Sequence, residues 1–245
     1  MKISIITATL NRATELNETI KSVMEQAHTD IDYIIVDGGS TDNSIEIIEY
    51  WKQLYPNNIR YISQTDNGIY EAINKGIKIA TGDVIGTLHA GDTFYSPNVL
   101  SIIAHTMSDP QINMIYGDVH YVNNSGRIVR KYSSKNFKPE LLKIGIAPPH
   151  PSLFLRKSIF EKYGLYKENY LIGADFELFV RLMLVNNLPG HYRPLDMVEM
   201  STGGLSTQLF HRIFTNNKEK YRALRENSIN VCCFSLLKRY LYTLK

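Results

Sequence analysis

Through its first two thirds the chain alternates short, β-branched apolar runs with stretches of helical period, and no other feature restricts its fold as strongly. Ile3-Ser4-Ile5-Ile6-Thr7-Ala8-Thr9 and Tyr33-Ile34-Ile35-Val36 are too short and too β-branched for helices and read as buried strands. Between them Leu16, Ile20, Val23, Met24 and Ala27 repeat at helical spacing. The second run stops at Asp37-Gly38-Gly39, after which Ser40, Thr41 or Asp42 can cap a helix striped by Ile45, Ile48 and Trp51. A strand over 59–63, a helix over 69–80, a strand over 84–89 and a helix opened by Ser96-Pro97 continue the series. Strand–helix repetition joins strands by right-handed crossovers and predicts an α/β chain with a doubly wound, mostly parallel sheet. Ligands of such sheets collect at the carboxyl ends of the strands.

Beyond Met114 the pattern changes. Runs over 114–122 and 128–133 flank Asn123-Asn124-Ser125-Gly126 and predict a hairpin. Pro148-Pro149-His150-Pro151 is a rigid turn before a short strand over 153–156, and a helix is expected over 174–186. The organisation expected is one domain over 1–207, with halves 1–113 and 114–207, and a C-terminal helical tail over 208–245.

Composition narrows the class further. Of 245 residues 44% are hydrophobic and 21% charged, which suits a folded chain with a sizeable core. Two adjacent cysteines, Cys232 and Cys233, form no disulfide framework and lack metal-ligand spacing. No apolar run is long enough to span a bilayer, and the first residues lack signal-peptide character, so the expected location is the cytoplasm. The net charge is +3, yet residues 216–245 carry seven basic side chains against Glu219 and Glu226, leaving the remainder slightly acidic. That balance points away from nucleic acid. Tyr221, Leu224, Phe234, Leu236, Leu237, Tyr240, Leu241 and Tyr242 interleave with the basic residues. The tail therefore reads either as an amphipathic helix for an anionic membrane surface, on the inner face of the cell membrane, or as a helix packed on the domain.

Four carboxylates fall at the ends of these elements on one rim: Asp37, Asp66, Asp92 and Asp175. Gathered acids repel one another and call for a cation or a positively charged ligand between them. A hard divalent cation with a diphosphate would supply that charge. Taken singly, Asp37 and Asp92 read equally well as turn-formers beside glycine.

Five blocks in order resemble one family: Ile5-Ile6-Thr7-Ala8-Thr9-Leu10-Asn11-Arg12, Ile35-Val36-Asp37-Gly38-Gly39-Ser40-Thr41-Asp42, the run from Asp66 to Gly76, Ala80-Thr81-Gly82-Asp83 leading to Leu88-His89-Ala90-Gly91-Asp92, and Asp175-Phe176-Glu177-Leu178. Over nearly all of residues 1–207 the chain resembles the family 2 glycosyltransferases of GT-A fold, as found in bacterial surface-polysaccharide synthesis. The resemblance implies an inverting transferase that moves a sugar from a nucleotide-diphosphate donor, a UDP-sugar, to a hydroxyl of a lipid-linked or growing surface glycan such as lipopolysaccharide or capsule. It implies that Asp37 holds the base, with Thr9, Arg12 and Asp66 in the same pocket. Gly91 and Asp92 would meet the donor diphosphate, and Asp92 would bind Mg²⁺ or Mn²⁺. Asp175 would be the catalytic base. Lys75 reads as a phosphate contact or a solvated helix residue.

The chain departs from the family pattern where Gly91 stands in place of a frequent second carboxylate, where His89 replaces a polar or acidic residue, and where Ala174 replaces a frequent Glu. His150 and Asp118 are candidates for acceptor contacts, each with a structural reading beside it. Ser201-Thr202-Gly203-Gly204-Leu205-Ser206 resembles a mobile donor loop. Non-catalytic binding of a nucleotide-sugar is the alternative function. A nucleotidyltransferase or a dinucleotide-dependent oxidoreductase would want a glycine-rich turn after the first strand, and Thr7-Ala8-Thr9-Leu10-Asn11-Arg12 has no glycine.

Overall fold

A computed structural model describes residues 1–123, 125–201 and 209–239. The first half forms as the alternation requires: β1 (Ile3–Thr9), α1 (Ala13–Met24), β2 (Ile31–Asp37), α2 (Ser44–Leu54), β3 (Ile59–Ser63), α3 (Ile69–Ile79) and β4 (Val84–Thr87). The four strands pair in parallel in the order β3-β2-β1-β4. Every residue of β1 and β2 is buried, because helices cover both faces. Ile3 and Ile5 meet Leu16, Ile20 and Ile48 on one face, while Ile6 and Ala8 meet Ile73 and Ile77 of α3 on the other. The cap before α2 is Asn43, and Asp42 accepts hydrogen bonds from the Ser44 N–H and hydroxyl, at 3.1 and 2.6 Å.

The second half extends the same sheet with mixed directions. It contains β5 (Asp92–Phe94), α4 (Val99–Met107), β6 (Met114–Val122), β7 (Ile128–Tyr132), β8 (Phe154–Arg156), α5 (Lys157–Tyr163), α6 (Ala174–Phe179), β9 (His191–Ser201) and α7 (Leu209–Glu226). Among the described residues the sheet has nine strands, continuing β4-β8-β6-β9-β5, with β7 paired to β6. β8 is antiparallel to both β4 and β6, and β9 is parallel to β6. The expected hairpin is the β6–β7 pair. The strand expected over 84–89 ends at Thr87, because residues 89–92 turn tightly around Gly91, whose φ is +102°. The helix expected over 174–186 starts as α6 and widens to a π-helix over Val180–Val185, where both the N–H and the side-chain amide of Asn186 reach the Arg181 carbonyl.

The tail packs on the domain. Ala223 and Leu224 of α7 and Leu236 of a 3₁₀ turn over Cys233–Leu237 are buried in the main core. Glu219 of α7 accepts the Leu171 and Ile172 N–H groups at 2.7 and 2.9 Å. The inward side of α7 is thus used by the protein itself, leaving Lys218, Arg225 and Lys238 exposed. Tyr240, Leu241 and Tyr242, and the loop resembling a donor lid over 202–206, lie outside the described residues.

One glycine shows how closely β1 and the turn before β4 meet. A Cβ on Gly82 would stand 2.5 Å from the Ser4 backbone nitrogen. Backbone cannot yield there as a side chain would, so Gly82→Ala is expected to cost about 1–3 kcal/mol in chemical denaturation, the usual range for overpacking.

Candidate active site

The parallel register brings the first strand ends to one rim, with Thr9 opposite Asp37 and Asp37 opposite Ser63. Asp37 is fully buried, and its Oδ2 accepts the Gly39 and Ser40 N–H groups, each at 3.1 Å, and the Ser63 hydroxyl at 2.8 Å. Oδ1 takes only a longer contact, 3.3 Å from the Ser40 N–H, and keeps acceptor capacity. Asp66 stands beside it: a Cβ on Gly38 would meet Asp66 Oδ2 at 2.9 Å. Gly38 therefore makes the room that lets the two carboxylates line one corner. Asn11, at φ +51°, stitches this loop to the end of β1 by accepting the Thr41 N–H at 2.8 Å. The Thr9 hydroxyl is buried there and has no partner in the structure. Thr9, Asp37 and Asp66 thus form one group. Lys75 instead pairs with Glu71 at 3.0 Å and donates to the Thr65 carbonyl.

The 89–92 turn is held from α1 and from the loop before it. The Thr19 hydroxyl donates to the Asp92 carbonyl at 2.8 Å and accepts the Gly91 N–H at 3.1 Å, and Arg12 donates to the Ala90 carbonyl at 3.1 Å. A Cβ on Gly91 would meet the Arg12 guanidinium at 3.1 Å. Arg12 therefore stands directly beside Gly91. Burial pushes the Asp92 carboxyl up to about 7, against the opposing pull of Arg12. Among the described residues no three His, Cys, Asp or Glu side chains gather as a metal cage. Asp92 fits a divalent cation as a single carboxylate ligand whose charge burial has left under-compensated, with other oxygens to come from a diphosphate and water.

Asp175 sits in the first turn of α6, after Gly173 as the N-cap, so it does not itself cap the helix. Its Oδ1 accepts the neighbouring Phe176 N–H at 2.7 Å and lies 3.5 Å from the Tyr70 hydroxyl. Burial raises its carboxyl above the usual 3.8, opposed by the Phe176 N–H, the Lys220 charge and Tyr70. A wall of rings links this acid to the 89–92 turn. Tyr70 stacks on Tyr166, the Tyr166 hydroxyl meets His150 Nε2 at 2.8 Å, and His150 stacks on His89 with centroids 5.7 Å apart. Burial lowers His89 to about 3, helped by His150, and His150 to about 4, so both imidazoles are neutral at neutral pH. His89 Nδ1 is buried and has no partner in the structure.

A cavity of about 290 Å³ opens beside Asp175, lined among others by His150, Phe176, Lys220, Tyr121 and Met200. Met200 is the ladder partner of both Asp92 and Tyr121, so the cavity extends from Asp175 to the strand partner of Asp92. His150 joins this site. Asp118 does not line it: buried on β6, it accepts the Ser134 N–H at 2.9 Å and the Tyr192 hydroxyl at 3.2 Å, close to Lys131. Lys220, Tyr70 and Tyr166 line or wall the site without having stood out in the sequence. Tyr70 lies within a resembling block, but Lys220 is one lysine in a basic helix.

A parallel crossover half ending in an acidic rim, joined in one sheet to a mixed half that carries a buried carboxylate beside a cavity, is the arrangement of a glycosyltransferase of GT-A fold. A family model described as Glycosyl transferase family 2 matches residues 4–164, and the chain belongs to that family. It is 28% identical over 213 residues to a PGL/p-HBAD biosynthesis glycosyltransferase of Mycobacterium bovis, covering 86% of this chain and 81% of that one. It is 32% identical over 185 residues to an uncharacterized glycosyltransferase of Nostoc sp., covering 71% of this chain and 57% of that one. Among solved structures, the S. aureus TarS 1–349 fragment in complex with UDP-GlcNAc superposes with TM-score 0.70 at 15% identity, over 94% of this chain and 66% of the fragment. The mannosyltransferase PcManGT of Pyrobaculum calidifontis, in complex with GDP-Man and Mn²⁺, does so with TM-score 0.68 at 15% identity, over 98% of this chain and 69% of that one. The chain spans 43% of the longer TarS chain. Among the described residues no helix is long and apolar enough to cross a membrane.

Proposed function

We propose that this glycosyltransferase moves a sugar from a UDP-sugar, with inversion, to a hydroxyl of a lipid-linked or growing bacterial surface glycan. One observation carries the reading: a single cavity joins Asp175 to Met200, the strand partner of Asp92. In this scheme Asp37 Oδ1 and Asp66 accept N–H groups of the base, and the unpartnered Thr9 hydroxyl faces the same corner. Asp92 holds Mg²⁺ or Mn²⁺ on one carboxylate, and Arg12 adds positive charge beside it. When bound, the cation offsets negative charge on the leaving diphosphate. Asp175 takes the proton of the acceptor hydroxyl as that oxygen bonds to the anomeric carbon and the bond to the diphosphate breaks. The neutral imidazole of His150 walls the cavity without adding charge, with neutral His89 stacked on it. The reaction site is the cytoplasm, with Lys218, Arg225 and Lys238 facing an anionic membrane surface.

The test is thermal unfolding with UDP, GDP, dTDP, CMP and NAD, each with and without Mn²⁺. A ligand at a hundredfold its Kd stabilises by about 2.7 kcal/mol, roughly 5–10 °C for a chain of this size. A rise with UDP that grows with Mn²⁺ is the expected result. A rise with GDP or dTDP instead would reassign the donor, and a rise with none would remove the donor site from the reading.

A further inference from the structure

The β6–β7 hairpin carries a surface to which the scheme above gives no task. Residues 119–139 hold Arg127, Arg130, Lys131, Lys135 and Lys138 and no acid. The turn is built by Asn123, whose Oδ1 accepts the Ser125 and Arg127 N–H groups at 3.1 and 3.0 Å. Between the two arginines stand Ile128 and Val129, 45% and 55% exposed. Neighbouring residues of a strand point to opposite faces. Both faces of β7 are therefore open to solvent, and Arg127, Arg130 and Lys131 are exposed with them. Among the described residues the ion pairs of β7 are those of Lys131, with Asp196 at 2.6 Å and Asp118 at 3.8 Å, and they leave out Arg127 and Arg130. The Arg130 guanidinium lies 5.9 Å from the ring centroid of Tyr121 and 6.0 Å from that of Tyr132.

Basic side chains on an edge strand guard it against pairing with another chain, but two adjacent exposed aliphatic residues work against that protection. Pairing of β7 with a second copy would also bring Arg127, Arg130 and Lys131 alongside the same three residues, and like charges across strands repel. A folded protein laid on one face of β7 would cover only one of Ile128 and Val129. A fluid interface takes in both faces of a ribbon at once, and an anionic one complements the flanking charge. The hairpin is also next to the site. A cavity of about 190 Å³ at its base, lined among others by Arg130, Asn136 and Phe137, shares Tyr132 and Ala147 with the cavity beside Asp175. We propose that the β6–β7 hairpin is the element that docks on an anionic lipid surface, with Ile128 and Val129 entering the interface and Arg127 and Arg130 meeting lipid phosphates. This deepens the proposed function and rests on it only for the lipid-linked acceptor, which would reach Asp175 past Tyr132.

The test is flotation of the full chain with vesicles of phosphatidylglycerol and, separately, of phosphatidylcholine. Wild type is expected to float with phosphatidylglycerol, less so as salt rises, and not with phosphatidylcholine. Ile128→Thr with Val129→Thr keeps β-branched side chains but removes apolar surface, and should weaken binding by about fivefold or more. Arg127→Gln with Arg130→Gln should weaken it by about tenfold or more, the effect of two basic residues at an anionic surface. A tail variant, Lys218→Gln with Arg225→Gln and Lys238→Gln, is measured beside them. Melting curves with UDP report that the threonine variant is folded. If it is not, Val129→Trp replaces it and should bind more tightly through an interfacial ring; no gain would count against the hairpin. Absence of wild-type binding, equal binding to both lipids, or wild-type binding by the threonine variant would overturn the proposal. Loss by the tail variant while both hairpin variants bind as wild type would move the docking to α7 and overturn it as well. Failure of wild type to bind any nucleotide would instead undo the donor scheme and leave the vesicle result readable.

Discussion

Asp175→Asn is expected to lower sugar transfer by about 10²–10⁴-fold, the range for loss of a positioned general base, while UDP affinity stays near the wild-type value. The amide keeps the shape of the carboxyl and its place against Phe176 and Tyr70, but it cannot take a proton. Donor binding is expected to survive because the residues proposed to hold the donor, Asp37, Asp66 and Asp92, stand on other elements. The measurement is transfer rate beside a UDP titration on the same preparation. Full transfer by Asp175→Asn would remove Asp175 from the chemistry. A parallel collapse of UDP binding would show that it acts through the donor site.

The pH profile carries the same assignment. Burial holds the Asp175 carboxyl above 3.8, so it is protonated at a higher pH than an exposed aspartate. A protonated carboxyl cannot accept the hydroxyl proton, and the acid limb of kcat is expected above pH 3.8. The groups facing it are Tyr70 from α3, His89 from the turn after β4, Tyr166 from the loop before α6 and Lys220 from α7. Both tyrosines are pushed upward and stay neutral, and His89, at about 3, is neutral over the same range. Lys220 is the cation among these that favours ionised Asp175. Lys220→Met should therefore move the acid limb further upward, measured with any acceptor that both proteins use.

The parallel half was legible in the sequence because β1 and β2 are buried on both faces, which writes them as unbroken β-branched runs. The mixed half was harder to read. β9, His191–Ser201, contains Pro194 and Arg193 and is buried fully only at Met197 and Val198, so neither alternation nor a continuous apolar run announces it. β5 is three residues long and exists through pairing with β9. The acids at the strand ends could be located because glycine-rich turns mark those ends. Their partners could not: Asp37 contacts Ser63 and Asp175 approaches Tyr70 and Lys220 through tertiary packing over 26 to 105 positions of sequence. Lys220 shows the limit most sharply. In the sequence it is one of seven basic residues in a tail; its burial depends on how α7 docks.

That docking depends on a second acid two residues beyond Asp175, and replacing it is expected to have the largest effect on stability. Glu177 is fully buried and pairs with Arg181 at 2.9 Å and Lys167 at 3.0 Å, and it accepts the Asn227 amide at 3.1 Å. Arg181 in turn donates to the carbonyls of Tyr163, Gly164 and Leu165. Glu177→Ala strands Arg181 and leaves Lys167 with Glu226 alone, and is expected to cost about 3–5 kcal/mol, the range for breaking a buried ion pair from one side. For a chain of this size that is roughly 6–20 °C in Tm. Burial alone would raise the Glu177 carboxyl, but Arg181, Asn227 and Lys167 outweigh it and hold it below 4.5. A lowered folded-state value contributes stability above the unfolded value that is lost as pH falls through the folded one. The Tm gap between wild type and Glu177→Gln should therefore be widest near neutral pH and close below pH 4.5; a gap independent of pH would deny Glu177 its charged role. The consequence for function follows from the same contacts. Asn227 ties Glu177 to the end of α7, and α7 carries Lys220 to the cavity wall, so loosening this network loosens the acceptor side first. Well below its melting temperature, Glu177→Gln is accordingly expected to lose transfer before it loses UDP binding, because the residues proposed for the base, Thr9, Asp37 and Asp66, stand at or just after the ends of β1, β2 and β3, in the opposite half of the sheet.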